Sequence, residues 1–542
     1  MLSPIIGIAF GNTSSSIAYI NPKQDVDVIA NPDGERSIPS CLSYVGNDEY
    51  HGGQALQQLI RNPNNTIVNF RDFIGLPFNQ CDVSRCSIGA PVVDVDGKAG
   101  FIISRSEGKK EHLTVDEVVS RHLKNLKDAA EDYIGQKIEK TVITIPTNFL
   151  DVQKKAMTKA AAKIGLEVVQ YIYEPSAALL AHTEQFPFGD DVNVVVADFG
   201  GVRSDAAVVA IRNGMFTLLA TEHDSNLGGV NLDTELVEFF AKDFESKYKC
   251  NPRSNTRSMA KLRASSQITK KTLSNATTAT ISIDSLADGY DYHLSINRMR
   301  YELVANKVFS ELSQFVQHVI TKANMDPLDI DAILLVGGTS FSPKLISNLE
   351  FLFPSSVQIL GPQLKTAFNN PNELLASGAA LQAELVSNYD ADELAQAMEP
   401  IVINTQHLSK DIGFVDAEGN FVSVLMAETS YPVKKTVLMT EATGDLLVSI
   451  CEADTAIRET VSEAAVTNKK GTESDKEDDE SDWSDDEPEV IRQKSYVLGT
   501  KLMELGIKNV QGVEISFVIN KDGLLTVTVR DLNSSNLVKG SL

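Results

Sequence analysis

The sequence has no surplus of positive charge. Its 542 residues carry 49 Lys and Arg against 73 Asp and Glu, a formal charge of −24. A chain of that sign makes a poor broad ligand for nucleic acid, so direct DNA contact is not expected. Much of the excess is local, with eleven acids and one Lys between Glu473 and Glu489. Cysteine is also scarce. Cys41, Cys81, Cys86, Cys250 and Cys451 form an odd, scattered set that excludes a disulfide framework and reads as reduced cytosolic thiols. Cys81 and Cys86 lie close, but no C-x-x-C spacing or paired His supports a metal site there. No apolar run approaches the ~20 residues of a membrane-spanning helix. The N-terminus shows neither a basic region nor a cleavage signature. The expectation is a cytoplasmic protein with no membrane contact and two to four domains.

What is present is a repeated turn. Pro4 to Ile20 reads PIIGIAFGNTSSSIAYI, an apolar strand, Phe-Gly, a short polar turn and a second strand. Asn193 to Ile211 reads NVVVADFGGVRSDAAVVAI and repeats that pattern, with Gly11 and Gly200 in matching places. Repeated units of this kind suggest two related lobes facing each other across a cleft. Backbone N–H groups in such turns can wrap an anion. The first turn alone reads more readily as an ordinary hairpin. Asp198 ends the second apolar run, where the first has Ala9. A third glycine turn, Gly337-Gly338, falls between a strand and a helix, a place suited to a nucleotide.

The remaining pattern is coarse but consistent. Thr114 and Glu117 make a capping box for a helix whose apolar stripe is Val115, Val118, Val119, Leu123, Leu126, Ala130 and Tyr133. TVITIP reads as a buried strand. The stretch from Phe149 to Gly165 reads as a helix, and EVVQYIYEP as a strand and turn before another helix. This alternation implies an α/β domain with a partly parallel sheet. After Ala383 the texture changes to a linker and then to short alternating strands, read as an all-β sandwich. The sandwich is split by an acidic segment too poor in apolar residues to fold, in which Ser484 and Trp483 stand out.

An ordered set of motifs makes the chain resemble the DnaK-type heat-shock protein 70 family. The set is NPDGERSIPS (31–40), TVITIPTNF (141–149), EPSAALLAH (174–182), ADFGG (197–201), LGGVNLD (227–233), TKKTLSNATTATISIDSLADGYDY (269–292) and LLVGGTS (334–340). The resemblance implies an actin-like α/β ATPase fold of two lobes around a nucleotide cleft, then a β-sandwich, here with no C-terminal helical lid. The expected division is a nucleotide-binding domain at 1–386, a linker at 387–400, and a substrate-binding-like domain at 401–542 with a disordered acidic insert at 467–490.

By the same resemblance ATP is the cofactor, with Mg²⁺ possible but no metal ligand assigned. The residues matched to the nucleotide are Gly11, Asn12, Thr13, Gly200, Gly201, Gly228, Gly229, Lys270, Lys271, Ser274, Gly337, Gly338, Phe341 and Asn372. The acids at Glu174, Asp198 and Asp205 match positions around the family's metal. Departures from the pattern are concentrated in the chemistry. An Asp is replaced by Ala9, a Lys by Arg71, a Gly by Val202 and a hydroxyl by Arg203. Arg203 is either a solvated surface charge or an intruder in the turn, and Phe341 either core filler or a shelf for the base. An Arg of the surface read by J-domains is Gln170, and the leucine-rich linker is replaced. The expectation is ATP binding with negligible hydrolysis and no catalytic residue. The acidic insert and altered loops resemble the family's ribosome-associated branch. That implies a heterodimer with a zuotin-like J-protein, ribosome contact through that partner, functional coupling to another Hsp70, and contact with nascent peptide as an open question. The alternative is an active ATP-cycling peptide chaperone.

Overall fold

The computed structural model describes residues 4–86, 88–362, 370–390, 392–393, 406–461 and 490–542. The larger part of the expected linker and all of the acidic insert except Val490 lie outside the described residues. The chain divides into two compact units. One comprises Met1–Ile211 and Leu218–Ile401, the other Arg212–Thr217 and Val402–Leu542.

The first unit is built twice over on one plan. Its first sheet contains β1 (Ile5–Phe10), β2 (Ser14–Ile20), β3 (Val26–Ile29), β4 (Lys140–Ile145) and β5 (Glu167–Tyr173) in the order β5-β4-β1-β2-β3, with the short strand Ile38–Pro39 on β2. Its second contains β6 (Asp191–Phe199), β7 (Ser204–Arg212), β8 (Met215–Asp224), β9 (Ala332–Val336) and β10 (Gln358–Leu360) in the order β8-β7-β6-β9-β10. In each sheet the first strand is central, the next two lie on one side and the last two on the other. β1 runs parallel to β4, and β6 parallel to β9. The duplicated turn of the sequence is therefore the visible part of a duplicated topology. Each lobe has its own core, one centred on Ile8, Phe10, Phe70 and Leu123, the other on Phe199, Phe240, Phe309 and Leu335.

Local chemistry explains the helices. α1 (Val115–Ile134) starts at the capping box, with the Thr114 hydroxyl accepting from the Glu117 N–H, and ends at Gly135 in the left-handed region. Its stripe is buried as read, except that Tyr133 is 48% exposed. That ring lies at the helix's last turn, edge-on to Tyr19, with its hydroxyl 3.2 Å from Asp27 Oδ2. α2 (Asp151–Ala162) and α3 (Glu174–Gln185) follow, and β5 leads directly into α3 without a separate turn. α4 (Gly229–Tyr248) and α5 (Thr256–Asn275) belong to the second lobe, and α6 (Leu374–Ser387) packs on β1 and α3.

In the second unit two strands run far longer than the short strands expected. β11 (Asp411–Val415), β12 (Phe421–Leu425), β13 (Val433–Val461), β14 (Val490–Ile519), β15 (Leu525–Asp531) and β16 (Leu537–Ser541) form one sheet in the order β12-β11-β13-β14-β15-β16. β13 and β14 run 29 and 30 residues and pair along almost their whole length. The polar breaks read as turns are register shifts near Met439–Leu446, where Gly444 and Gly512 take positive φ. Such shifts bend a strand without ending it. One core takes Ile412, Phe414 and Ile450 together with Val513, Phe517 and Val527. The acidic segment joins two residues that face each other, Val461 and Val490.

A nucleotide-type cleft with a guanidinium floor

The two glycine turns are closed by the same bond. Gly11 N–H donates to the Ser14 carbonyl at 3.1 Å, and Gly200 N–H to the Arg203 carbonyl at 3.0 Å. They also meet face to face, since a Cβ on Gly201 would fall 2.6 Å from the Thr13 side chain. A ring of contacts continues from there. The first N–H groups of α4 turn inward, Gly229 to the Gly200 carbonyl at 3.0 Å and Val230 to the Gly201 carbonyl at 2.7 Å. Lys270 of α5 donates to the Gly229 carbonyl and pairs with Asp233, at 2.7 and 2.8 Å. Thr339 Oγ1 donates to the Gly200 carbonyl at 2.9 Å. Gly337, at φ 82°, could not carry a Cβ without striking Asp198, and Gly338 faces Asn372. The Asn372 carbonyl accepts from Ser16 Oγ of β2 at 3.1 Å, which closes the ring on the first lobe.

Most residues matched to the nucleotide thus come together from segments far apart in the chain. Gly228 lies against Gly201 and Arg203, and Asn12 accepts from the Asp72 N–H. Three are less engaged. Lys271 is exposed, Ser274 donates to the Lys270 carbonyl of its own helix, and Phe341 is half-buried at the end of the single turn Gly338–Phe341. The turns approach closely where Gly201 meets the Thr13 side chain, and the backbone of such turns is the chemistry that a polyphosphate takes.

Beneath the turns lies a charged cluster that the sequence did not reveal. Arg71 is buried; it donates to the Phe10 carbonyl and to Glu174 Oε1, both at 3.0 Å, and to Asp72 Oδ1 at 2.9 Å. Arg203 is 9% exposed, so it is no surface charge. It donates to Asp72 Oδ2 at 3.0 Å, to Asn148 Oδ1 at 3.2 Å, and to both oxygens of Asp205. Asp205 also meets His223 Nδ1 at 2.6 Å, and His223 Nε2 lies 3.2 Å from Thr147 Oγ1. Asp72, Thr147 and Asn148 belong to the first lobe, and Arg203, Asp205 and His223 to the second. The cluster therefore ties the lobes together.

Burial opposes ionisation of every acid here, and the guanidiniums decide which acids overcome it. Burial works against Asp72, but Arg71 and Arg203 outweigh it and hold the carboxyl well below the usual range. Asp205 is held low in the same way, against burial, by His223 and Arg203. Glu174 is pushed up, chiefly by burial, with Arg71 opposing. Asp198 is pushed well up by burial and by the nearby charges of Glu174 and Asp205. Ala9 sits where the first lobe's counterpart of Asp198 would be, opposite Thr144 as Asp198 is opposite Val336. It packs against Ala18, Val28, Ala376 and Ala380.

This donor set does not fit a resident divalent cation. Such an ion takes several free oxygens, whereas Asp72, Glu174 and Asp205 are engaged by guanidinium or imidazole. Sequence reading singled out Arg71, Arg203 and the three acids, but not Asp72, Thr147, Asn148 or His223. The only local signals were positional, His223 preceding LGGVNLD and Asn148 following TVITIP. Gln170, on β5, accepts from Gln382 of α6 at 2.7 Å.

Comparison with known proteins bears on the same features. The family model described as Hsp70 protein matches residues 5–468. The ribosome-associated complex subunit SSZ1 of Saccharomyces cerevisiae is 69% identical over 542 residues, covering all of both chains. A heat shock protein 70 homolog of Schizosaccharomyces pombe is 40% identical over 548 residues, covering 99% of this chain and 95% of its own. A ribosome-associated molecular chaperone of Nakaseomyces delphensis is 32% identical over 434 residues, covering 79% of this chain and 68% of its own.

Proposed function

The chain belongs to the Hsp70 family, and from that premise we propose that it binds ATP between its two lobes with little or no hydrolysis. Its role is that of a cytoplasmic co-chaperone subunit. It pairs stably with a zuotin-like J-protein, reaches the ribosome through that partner, and helps stimulate another Hsp70 acting on nascent chains. The name and 69% identity of the Saccharomyces relative support the ribosomal role.

The observation that carries the non-catalytic reading is the guanidinium floor. Phosphoryl transfer to water needs a metal clamp on the phosphates and a positioned nucleophile. When bound, Mg²⁺ would supply that charge neutralisation to the nucleotide. Here Arg71 and Arg203 engage the carboxylates that would position it, while Ala9 removes one carboxylate altogether. The surviving parts are those that hold. The paired turns would take phosphate, and Lys270 with Gly337 and Gly338 would take the nucleoside side. Loss of a single preorganised contact costs about 10²–10³ in rate, and several are altered together.

Affinity-tagged chain recovered from cytosol at moderate salt tests the assembly. The expected result is sedimentation with ribosomes and one stoichiometric J-domain partner. Recovery as a free monomer in the ribosome-free fractions would contradict it.

A further inference from the structure

We infer that this cleft takes the nucleotide triphosphate without a divalent cation, because Arg71 and Arg203 hold the carboxylates that would otherwise position one. The inference rests on the reading of the cleft as a nucleotide site and goes beyond it in naming the form of the ligand.

Three observations carry it. The first is position. Arg203 is itself a member of the second phosphate turn, and its carbonyl closes that turn onto Gly200. Arg71 donates to the carbonyl of Phe10, the residue that leads into the first turn. Each turn therefore has one guanidinium built into its base. The second is engagement. Arg203 uses Nε, Nη1 and Nη2 on four oxygens, two of Asp205, one of Asp72 and one of Asn148. Arg71 bridges Asp72 and Glu174. Asp72 lies between the two, with one oxygen on each guanidinium. A divalent ion would have to break these charge-assisted bonds to gain its ligands, and planar bidentate pairs are among the stronger ones. The third is charge. A buried carboxylate cluster without cations is untenable, and here the cations are part of the chain. The cluster is complete in the metal-free molecule and need not await an ion.

An anion arriving at the turns meets acids already paired with guanidiniums rather than bare carboxylates. Magnesium then becomes a spectator carried by the nucleotide in solution. The exchange also accounts for Ala9, since an acid there would add a further carboxylate to a cluster whose two guanidiniums are already committed.

The test is the affinity of the full chain for ATP, measured calorimetrically in Mg²⁺ and again in EDTA. The expected dissociation constants agree within about threefold. Binding weakened by about tenfold or more in EDTA overturns the inference and leaves the nucleotide reading standing. Absence of ATP binding in both buffers overturns both. Arg203→Gln is expected to weaken binding in EDTA by about tenfold, with partial recovery in Mg²⁺, and Arg203→Lys to fall between. Unchanged binding by a folded Arg203→Gln chain in EDTA also overturns it. Manganese resonance on the nucleotide-free chain gives an independent reading. The expected spectrum is that of the free aqueous ion, and an immobilised ion would contradict the engagement of the acids.

Discussion

Arg203 lies in a turn that approaches another turn closely, and its burial sets the energetics of removing it. Removing one partner of a buried ion cluster leaves the others uncompensated, at a cost of about 3 kcal/mol or more. Arg203→Ala is therefore expected to lower the free energy of unfolding by roughly that amount in urea titration. Adding Asp205→Asn should return part of the loss, which a double-mutant cycle would read. A second residue gives a pH signature. His122 is fully buried between the rings of Phe10 and Phe70, with Nε2 3.0 Å from Ser15 Oγ, and burial pushes it down to about 3 from 6.5. Between those values the unfolded chain binds a proton that the native chain refuses, so the His122 contribution falls as pH falls through that window. The slope for one such group is about 1.4 kcal/mol per pH unit. His122→Leu should be less sensitive to acid than the parent by about that slope when unfolding midpoints are compared from pH 7 to pH 5. Equal slopes would show that His122 titrates normally.

At the scale of elements, α6 holds the first lobe together through small residues. Gly378 approaches α3 so closely that a Cβ would lie 1.9 Å from the Ala177 carbonyl. Rigid backbone on both sides leaves no room to relax, and overpacking of this kind costs about 3 kcal/mol. Gly378→Ala is expected to destabilise the first unit by that order, seen as a lower melting temperature in calorimetry, while the second unit's transition stays in place. The β13–β14 pair gives the opposite expectation. Val461 and Val490 are register partners, so the acidic segment leaves and returns at one point of the sheet. Replacing 467–489 with a short Gly-Ser turn should shift the melting temperature by no more than about 2 °C. Element types were legible where one local signal sufficed: the capping box at Thr114 and the paired glycine turns. The lengths of β13 and β14 were not, because glycines that bend a strand through a register shift look in sequence like glycines that end it. Tyr133 misled for a similar reason, since helical periodicity places a residue on a face but does not say where the neighbouring sheet stops.

At the scale of the molecule, the duplicated topology could be anticipated because each copy carries its turn in one contiguous stretch. The ring around the turns was legible only through family resemblance, since Gly201, Gly229, Lys270, Gly337 and Asn372 are scattered along the chain. The guanidinium floor was not legible at all. It joins Arg203 to Asp72 across 131 positions and Arg71 to Glu174 across 103, and no local pattern records such pairs. Arg203 taken alone was compatible with a solvated charge; its burial and its three acceptor residues decide otherwise. With the lobes tied through this cluster and the carboxylates committed, the proposed function predicts a nucleotide that is held rather than turned over. The most direct measurement is a single-turnover experiment in Mg²⁺ with γ-labelled ATP bound to excess full-length chain. Intact ATP recovered after hours, released by denaturing the protein, is the predicted result. Conversion to ADP and phosphate within minutes, first-order in the bound complex, would contradict it.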